Sequence, residues 1–311
     1  MKVLFIDDTH PILYSIFEEK GWEVIIKNKV SKEELASELH LYQGLIVRSR
    51  FVLDKDYIAK GTNLKFIGRP GAGLENIDVE FAQKQGIKVF RSPEGNRDSV
   101  AEHSIGMLLS LFNKLQNCNT EVKNGIWDRL NNRGEELMGK TVGLIGYGVM
   151  GKAMAQRLSG FGVICIAYDK YLTNYGDKNA KAVSIEELYE KSEVVSLHTP
   201  LTEETKGMIN EAYLSEFKKP FYFLNTARGQ SVILDDLVKL LKNGKILGAC
   251  LDVLEYEKTS FESMFSDDKT EAFEYLSNAK KVMLSPHVAG WTHQSNFKIA
   301  QFLGEKIIVE F

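Results

Sequence analysis

The sequence predicts an α/β fold with two doubly wound parallel sheets, each covered by helices on both faces. Short apolar runs alternate along the chain with segments of helical periodicity, which is typical of strand–helix–strand units. The alternation comes in two series, and the second begins at Thr141. Because 311 residues are roughly two domains' worth, we expect one sheet in each of two domains.

Five apolar runs of the first series are predicted to be buried strands, separated by amphipathic helices. The segment SKEELASELH, for instance, places Leu35 and Leu39 four residues apart on one helical face. The five runs are residues 3–6, 24–26, 45–47, 66–67 and 87–90.

A long helix over residues 99–115 is predicted between the two series. Apolar residues and one histidine recur there at steps of three and four, as on a buried helix face. They are Val100, His103, Met107, Leu111 and Leu115. The strands that follow are TVGLIG, VICIAY, EVVSL, FYFL, ILGACLDV and KVMLS, and the polar stretch 255–280 predicts a surface loop or a short exposed helix.

Composition excludes several classes of protein. The charged fraction of 26% and the net charge of −3 indicate neither a disordered chain nor a nucleic-acid or anionic-membrane binder. No apolar run approaches the ~18–20 residues of a membrane span, and Asp7 and Asp8 argue against a signal peptide. The three cysteines lie far apart and no metal-ligand spacing occurs, so reduced thiols, a cytoplasmic location and no metal site are expected.

A glycine-rich motif predicts a dinucleotide site. Gly146, Gly148 and Gly151 form a GxGxxG sequence between an apolar strand and a helical pattern. Gly146 permits the tight turn, Gly148 lets the backbone approach a pyrophosphate, and Gly151 allows close packing of the helix. The next strand ends at Asp169, whose carboxylate would bind the ribose hydroxyls and repel a 2′-phosphate. NAD is therefore the expected cofactor, although Lys170 could soften the discrimination against NADP.

The residues that follow the predicted strands indicate where a ligand binds, because open parallel sheets bind ligands at the carboxyl ends of their strands. In the first series Arg48 and Ser49 follow one strand, and Arg69 with the segment PGAG follows the next. Arg48 is the best candidate for binding an anion, since its fork matches carboxylate or phosphate oxygens. Arg69 is an open case, whereas exposed, solubilising side chains are expected of three further arginines: Arg50, Arg91 and Arg97.

In the second series His287 follows the last strand and is a candidate acid–base group. A histidine after a strand usually has only a structural role, with its ring nitrogens hydrogen-bonded to neighbouring groups. This one is distinguished by acidic residues after the preceding strand, Glu255 and Glu257. A neighbouring carboxylate would fix the tautomer of the imidazole.

Motifs along nearly the whole chain resemble those of the D-isomer-specific 2-hydroxyacid dehydrogenases, most closely the 3-phosphoglycerate dehydrogenase branch. The matching sequences are VRSR, GRPGAGLENID, SPEGNRDSVAEHSIGMLL, GKTVGLIGYGVMG, HTPLTEETKGMIN, NTARG, LDVLEYE and SPHVAGWT. The resemblance implies a Rossmann NAD domain, residues 96–287, inserted into a flavodoxin-like substrate domain of residues 1–95 and 288–311. It also implies a homodimer formed through helices of the nucleotide domain.

The same resemblance implies a role for each site residue. His287 would be the acid–base, Glu257 its partner with Glu255 as the alternative, and Arg228 the residue that holds the substrate's carboxylate and carbonyl. The backbone at Ala72 and Gly73 would also receive the carboxylate. The cofactor would be contacted by a larger set: Gly146, Gly148, Val149, Met150, Gly151, Asp169, Thr199, Thr226, Ala227, Asp252 and Gly290.

The implied activity is reversible hydride transfer between NAD and a D-2-hydroxy acid, with 3-phosphoglycerate as the first candidate. A phosphate on the substrate would be bound by Arg48 and Ser49; alternatively, Arg48 pairs with a carboxylate and only shapes the site. Glycerate or hydroxypyruvate, lactate-type and 4-phosphoerythronate substrates stay open, as does a non-enzymatic, NAD-binding corepressor. Two residues differ from the pattern of the family that the chain resembles. Trp291 lies where that family commonly has a small residue, and Lys258 lies where it usually has proline. The chain ends at Phe311 without a regulatory domain, so serine feedback is not expected.

Overall fold

The computed structural model describes residues 1–257 and 270–311 of the chain. Two compact units make up this part, one of Met1–Arg97 with Trp291–Phe311 and the other of Asp98–Gly290. The expected domain boundaries, after residues 95 and 287, lie two and three residues from these. Residues 258–269, which include Lys258 and part of the polar stretch 255–280, fall outside the described residues.

The strands of the first unit are β1 (Lys2–Phe5), β2 (Glu23–Ile26), β3 (Gly44–Ile46), β4 (Phe66–Arg69) and β5 (Lys88–Arg91). Those of the second unit are β6 (Thr141–Ile145), β7 (Ile164–Tyr168), β8 (Lys181–Ala182), β9 (Val194–Leu197), β10 (Phe221–Asn225), β11 (Ile246–Leu251) and β12 (Val282–Leu284). Every pairing described between them is parallel.

The helices are α1 (Ile12–Glu19), α2 (Lys32–Glu38), α3 (Lys55–Ile58), α4 (Val79–Lys84), α5 (Arg97–Phe112), α6 (Leu115–Lys123), α7 (Val149–Leu158), α8 (Ile185–Lys191), α9 (Glu211–Ser215), α10 (Leu234–Lys242), α11 (Glu271–Asn278) and α12 (His293–Glu310). Several begin at a side chain that accepts a backbone amide of the first turn, as Ser31 does from Glu34. None of the described helices is long and apolar enough to cross a membrane.

Strand order confirms the predicted fold class. The first sheet runs β2-β1-β3-β4-β5, which is the flavodoxin-like order, and the second runs β12-β11-β10-β9-β6-β7-β8, which is the Rossmann order with one added strand. In the second sheet the chain winds outward from β6 in one direction and from β9 in the other. The switch point, where dinucleotides bind in such sheets, therefore lies between β6 and β9.

Each face of the first sheet packs against a different set of helices. Leu4, Leu45 and Ile67 pack in one cluster with side chains of α2 and α3. On the other face Phe5 and Phe66 form a cluster with the buried side chains of α1 and α12, which include Leu303 and Ile307. This burial explains why the C-terminal helix belongs to the same unit as the first 97 residues.

Three details differ from the sequence-based expectations. Strands β2 and β5 are half exposed because they lie at the edges of their sheet. The long helix ends at Phe112, and Lys114, in the left-handed region at φ 51°, separates it from α6, so Leu115 is 54% exposed. Helix α11, expected to be loop or exposed helix, buries Ala272 and Leu276.

Candidate active site

The glycine-rich loop joins β6 to α7, and its three glycines differ in their surroundings. Gly146 has φ 92°, and a Cβ there would lie 2.8 Å from the carbonyl oxygen of His198, at the end of β9. A Cβ at Gly151 would lie 2.3 Å from the carbonyl oxygen of Gly146. At Gly148 a Cβ would meet no atom of the described chain within 4 Å. The loop is thus closely packed at two glycines and open at the third.

The open position lies at the N-terminus of α7, where Gly148 contributes no side-chain cap and the half-buried Val149 and Met150 begin the helix. Backbone amides at such a terminus attract anions. Thr199, which follows the neighbouring strand β9, has a buried hydroxyl oxygen for which no hydrogen-bond partner is found among the described residues. A buried, unpartnered hydroxyl requires a polar group that the ligand could provide. Both features fit NAD.

Asp169 follows β7 and is fixed by backbone amides. Its Oδ2 accepts from the amide of Tyr147 in the glycine loop at 2.8 Å, and its Oδ1 accepts from Tyr171 at 3.0 Å and Leu172 at 3.1 Å. The neighbouring Lys170 ammonium donates to the carboxylate of Glu204, and this bond raises the pKa of Lys170. The cation that could have attracted a 2′-phosphate is therefore compensated by an acid.

The loop after β10 carries Thr226, Ala227 and Arg228. The buried amide of Asn225 holds it, because Oδ1 accepts from the amide of Ala227 and Nδ2 donates to the carbonyl of Arg228, both at 3.0 Å. The Thr226 hydroxyl bonds to Ser104 at 3.0 Å, and Arg228 Nη1 donates to the Ala227 carbonyl at 2.7 Å. These bonds fix the backbone from which the Arg228 guanidinium extends.

His287 and Glu257 follow β12 and β11, which are neighbours in the sheet, and the structure brings them together. His287 Nδ1 lies 2.6 Å from Glu257 Oε2, and Glu257 Oε1 accepts from the amide of Leu254 at 2.5 Å. The alternative partner, Glu255, accepts instead from the amide of Leu234, the first residue of α10. The carboxylate beside the imidazole is therefore that of Glu257.

Asp252, expected to contact the cofactor, shapes the turn that presents His287. Its carboxylate is 1% exposed and accepts from the hydroxyl of Ser285 at 2.5 Å and from the amides of Val288 and Ala289 at 2.9 Å. Its carbonyl accepts from the amide of His287 at 2.7 Å. His287 has φ 54°, a strained conformation for a residue other than glycine, and these bonds maintain it. Contact of Asp252 or of Gly290 with the cofactor stays a prediction.

The two other histidines of this unit, His103 and His198, each form a hydrogen bond with a serine. His103 on α5 hydrogen-bonds to Ser285 at 2.9 Å. His198 bonds to Ser196 at 3.0 Å, and burial lowers the pKa of His198 to about 4. Among residues 1–257 and 270–311 no group of acidic, histidine and cysteine side chains could hold a metal ion.

In the first unit Arg48 and Ser49 follow β3, and Asp7 at the end of β1 holds their backbone. A single oxygen, Asp7 Oδ2, accepts from the amides of Arg48 at 2.6 Å, Ser49 at 3.3 Å and Arg50 at 3.4 Å. In the sequence, Asp7 was evidence only against a signal peptide. Its position directly after the predicted strand of residues 3–6 was the available signal, whereas the pairing of this strand with the one before Arg48 is seen only in the structure.

The guanidinium of Arg48 stacks on Trp291, with Cζ 4.2 Å from the ring centroid. The carbonyl of Arg48 accepts from Arg69 Nε at 3.2 Å, so Arg69, which is 8% exposed, is tied into the same loop. The prediction that Arg50 is an exposed, solubilising side chain was wrong. It donates to the carbonyls of Ile6, Lys27 and Val30 and joins three loops.

The segment after β4 contains Ala72 and Gly73, the expected receivers of a carboxylate. Arg91 Nη1 donates to the carbonyl of Ala72 at 3.0 Å, and the amide of Ser92 donates to the carbonyl of Gly71 at 2.9 Å. The carbonyls of this segment are thus bonded to the adjacent strand. Arg91 is exposed, as expected, but it also stabilises the segment.

Comparison with known proteins gives concordant matches. Residues 105–289, more than half of the chain, match the family model of the D-isomer specific 2-hydroxyacid dehydrogenase NAD binding domain, which confirms NAD as the predicted cofactor. A D-3-phosphoglycerate dehydrogenase of Bacillus subtilis is 34% identical over 301 residues, which are 95% of this chain and 54% of that protein. The chain thus spans about half the length of the phosphoglycerate dehydrogenases that it matches.

Two further relatives match this chain over nearly the whole of their own length. A hydroxypyruvate reductase of Thermotoga maritima is 34% identical over 286 residues, 92% of this chain and 90% of that protein. Among solved structures, a D-lactate dehydrogenase of Aquifex aeolicus, complexed with NAD and lactic acid, has a TM-score of 0.83 and 28% identity, with 100% of this chain and 95% of that chain covered.

Proposed function

The chain belongs to the D-isomer-specific 2-hydroxyacid dehydrogenase family, and from this premise we propose that it interconverts a D-2-hydroxy acid and its 2-keto acid with NAD. The observation that carries the proposal is the 2.6 Å contact between His287 Nδ1 and Glu257 Oε2. A carboxylate accepts hydrogen bonds only, so Nδ1 carries the proton of the neutral ring. Proton exchange with the substrate then takes place at Nε2.

The side chains of this protein would move the proton and hold the acid. When the hydroxy acid is oxidised, neutral His287 takes the hydroxyl proton, and Glu257 stabilises the imidazolium that forms. In the reverse direction the imidazolium returns the proton to the carbonyl oxygen, which Arg228 polarises. The amides at Ala72 and Gly73, together with Arg228, would bind the carboxylate.

NAD, when bound, provides the hydride acceptor for C2 of the hydroxy acid, and NADH provides the donor for the keto acid. The open backbone at Gly148 and the first turn of α7, with Val149 and Met150, would hold the pyrophosphate. Asp169 would hold the ribose. The other residues proposed to contact the cofactor are Thr199, Thr226, Ala227, Asp252 and Gly290.

The substrate that we propose first is 3-phosphoglycerate, with 3-phosphohydroxypyruvate as its keto acid. Support comes from the D-3-phosphoglycerate dehydrogenases among the relatives and from Arg48, a cation in addition to Arg228 whose guanidinium lies over the ring of Trp291. The second candidate is reduction of glyoxylate or hydroxypyruvate, which the Thermotoga maritima relative favours at the same 34% identity. The keto acid of 4-phosphoerythronate also fits a phosphate-binding Arg48.

A panel of 2-keto acids tests the proposal directly. Oxidation of NADH by the purified protein is measured with phosphorylated and unphosphorylated keto acids, and we expect the highest kcat/KM with 3-phosphohydroxypyruvate. A higher value with hydroxypyruvate would favour the second candidate. Binding of NADH without turnover of any keto acid would contradict the proposed dehydrogenase activity. It would support the alternative of a non-enzymatic, NAD-binding corepressor.

We expect a strong preference for NAD over NADP, because Asp169 is proposed to hold the ribose and Lys170 is compensated by Glu204. Asp169→Ala should lower kcat/KM with NAD by about 10- to 100-fold, the value of one hydrogen bond to a charged group. The same substitution should change kcat/KM with NADP much less, so the ratio of kcat/KM with NAD to kcat/KM with NADP should fall. The kinetics are compared with thermal unfolding of the same variant, since Asp169 also orders the glycine loop. Equal efficiency of the unmutated protein with both cofactors would contradict the assignment.

Arg48 is predicted to read the phosphate of the substrate together with Ser49. Loss of a charge-assisted hydrogen bond costs about 1.5–3 kcal/mol, so Arg48→Ala should raise KM for a phosphorylated keto acid by roughly one to two powers of ten. KM for its unphosphorylated counterpart should stay unchanged, and this comparison is the internal control. An equal loss with both compounds would show that Arg48 only shapes the site.

We further propose that the protein is a cytoplasmic homodimer that needs neither membrane nor nucleic acid. Large apolar side chains of the nucleotide-binding unit are exposed in one stretch of sequence, including Ile126, Trp127, Leu130 and Met138 at 52–80%. Such a concentration is typical of a subunit interface. Light scattering of the purified protein measures the mass that this proposal requires.

A further inference from the structure

The indole of Trp291 is unusually placed for a large apolar side chain. It is 58% exposed, yet it makes a defined contact, because the guanidinium of Arg48 stacks on its face with Cζ 4.2 Å from the ring centroid. Both residues belong to the unit of residues 1–97 and 291–311. Because more than half of the indole stays in contact with water, its hydrophobic stabilisation is small. The defined interaction of its ring is therefore the contact with Arg48.

Both sides of the stacked pair have a fixed backbone. The Arg48 amide donates to Asp7 at 2.6 Å, and its carbonyl accepts from Arg69 Nε at 3.2 Å. Trp291 directly precedes Thr292, whose hydroxyl accepts from the amide of Ser295 at 3.0 Å while Ser295 Oγ accepts from the amide of Thr292 at 2.9 Å. This capping box fixes the chain at the start of α12. The stack therefore joins two rigid segments.

An indole carries no hydrogen-bond acceptor, so its contact with a guanidinium does not use the N–H donors that lie in the plane of that group. Those in-plane donors are the ones that match the oxygens of a phosphate. A stacked arginine has also lost much of its rotamer freedom before an anion arrives, and this pre-organisation favours binding. The indole thus prepares Arg48 for an anion without competing for it.

We propose that Trp291 is a specificity-determining residue that positions Arg48 to read the phosphate monoester of the substrate. The proposal rests on the proposed function, in which Arg48 binds that phosphate. Trp291 acts through Arg48 and takes no part in the transfer of hydride or proton, so it is a positioning residue. Its contribution should appear in KM for phosphorylated substrates and should leave kcat unchanged.

Steady-state kinetics of Trp291→Ala and Trp291→Phe test this role with a phosphorylated keto acid and its unphosphorylated analogue. A cation–π contact at an exposed site corresponds to about a two- to fivefold change in binding. We expect Trp291→Ala to raise KM by that factor for the phosphorylated compound alone. Trp291→Phe, which keeps an aromatic face, should restore part of the loss. Equal changes with both compounds, or a fall in kcat alone, would overturn the proposal.

Fluorescence gives a readout that needs no turnover. The chain has three tryptophans; Trp22 is 7% exposed and Trp127 is 80% exposed. In a Trp127→Phe background, the emission of Trp291 should change when inorganic phosphate is added and not when sodium chloride of equal ionic strength is added. Adding Arg48→Ala should abolish the response. A response that survives Arg48→Ala would overturn the proposal.

Failure of this proposal and failure of the proposed function give different results. If the protein reduces phosphorylated keto acids but Trp291→Ala leaves their KM unchanged, the function stands and the positioning role is wrong. If the phosphate response requires both Trp291 and Arg48 but no keto acid is reduced, the pair binds phosphate and the proposed reaction is wrong.

Discussion

Replacing His287 with asparagine is expected to lower kcat by about 10²- to 10⁴-fold, the usual value of general acid–base catalysis. Asparagine is the suitable replacement because residue 287 has φ 54°, a conformation that asparagine tolerates better than alanine or glutamine. The fold around Asp252 should then persist, since its bond is to the backbone amide of residue 287. NADH binding, measured by fluorescence titration, should be unchanged.

Glu257→Gln provides the matched control for that experiment. Glutamine keeps the shape of the side chain but removes the charge that stabilises the imidazolium, so a smaller loss of kcat is expected. In the His287→Asn background the same substitution should cost little more, because Glu257 acts through His287. Additive losses would mean that Glu257 touches the substrate itself. A His287→Asn protein within tenfold of full activity would exclude His287 as the acid–base.

The fold could be predicted from the sequence because its signals are local. Every described strand except β8 contains an apolar run, and the glycine motif lies within six residues of sequence between a strand and a helix. Which strands lie at the edges is not a local property, so the exposure of β2 and β5 was wrongly predicted. The two-residue strand β8 and the left-handed break at Lys114 carry no periodic signal at all.

The site could be predicted only as a set of residue types at strand ends. Glu255 and Glu257 are two residues apart and chemically alike, and the choice depends on which carboxylate meets the residue after β12, 30 positions away. The bonds of Asp7 to the loop of Arg48, and of Asp252 to the turn of His287, span 33 to 43 positions. Such contacts are set by strand order, which a sequence pattern does not specify.

The glycine loop offers a second large effect, in which folding and cofactor binding can be separated by two alanine substitutions. A methyl group at Gly151 would lie 2.3 Å from the carbonyl oxygen of Gly146, so the backbone must move. Alanine is favoured over glycine in helices by about 1 kcal/mol, but this residue is in the first turn, where less is gained. We expect Gly151→Ala to destabilise the protein by about 1–3 kcal/mol, measured by urea unfolding without NAD.

Gly148→Ala should have the opposite signature. The backbone there has φ −77° and ψ −152°, which alanine accepts, and a Cβ would meet no described atom within 4 Å, so unfolding should change by less than about 0.5 kcal/mol. The same methyl group would stand where the pyrophosphate approaches the first amides of α7. Losing a hydrogen bond to a charged group costs about 1.5–3 kcal/mol, so NAD should bind roughly 10- to 100-fold more weakly. Calorimetric titration with NAD measures this change directly. If Gly148→Ala bound NAD normally, or if it unfolded as readily as Gly151→Ala, the pyrophosphate would lie elsewhere and the open position at this glycine would have another cause.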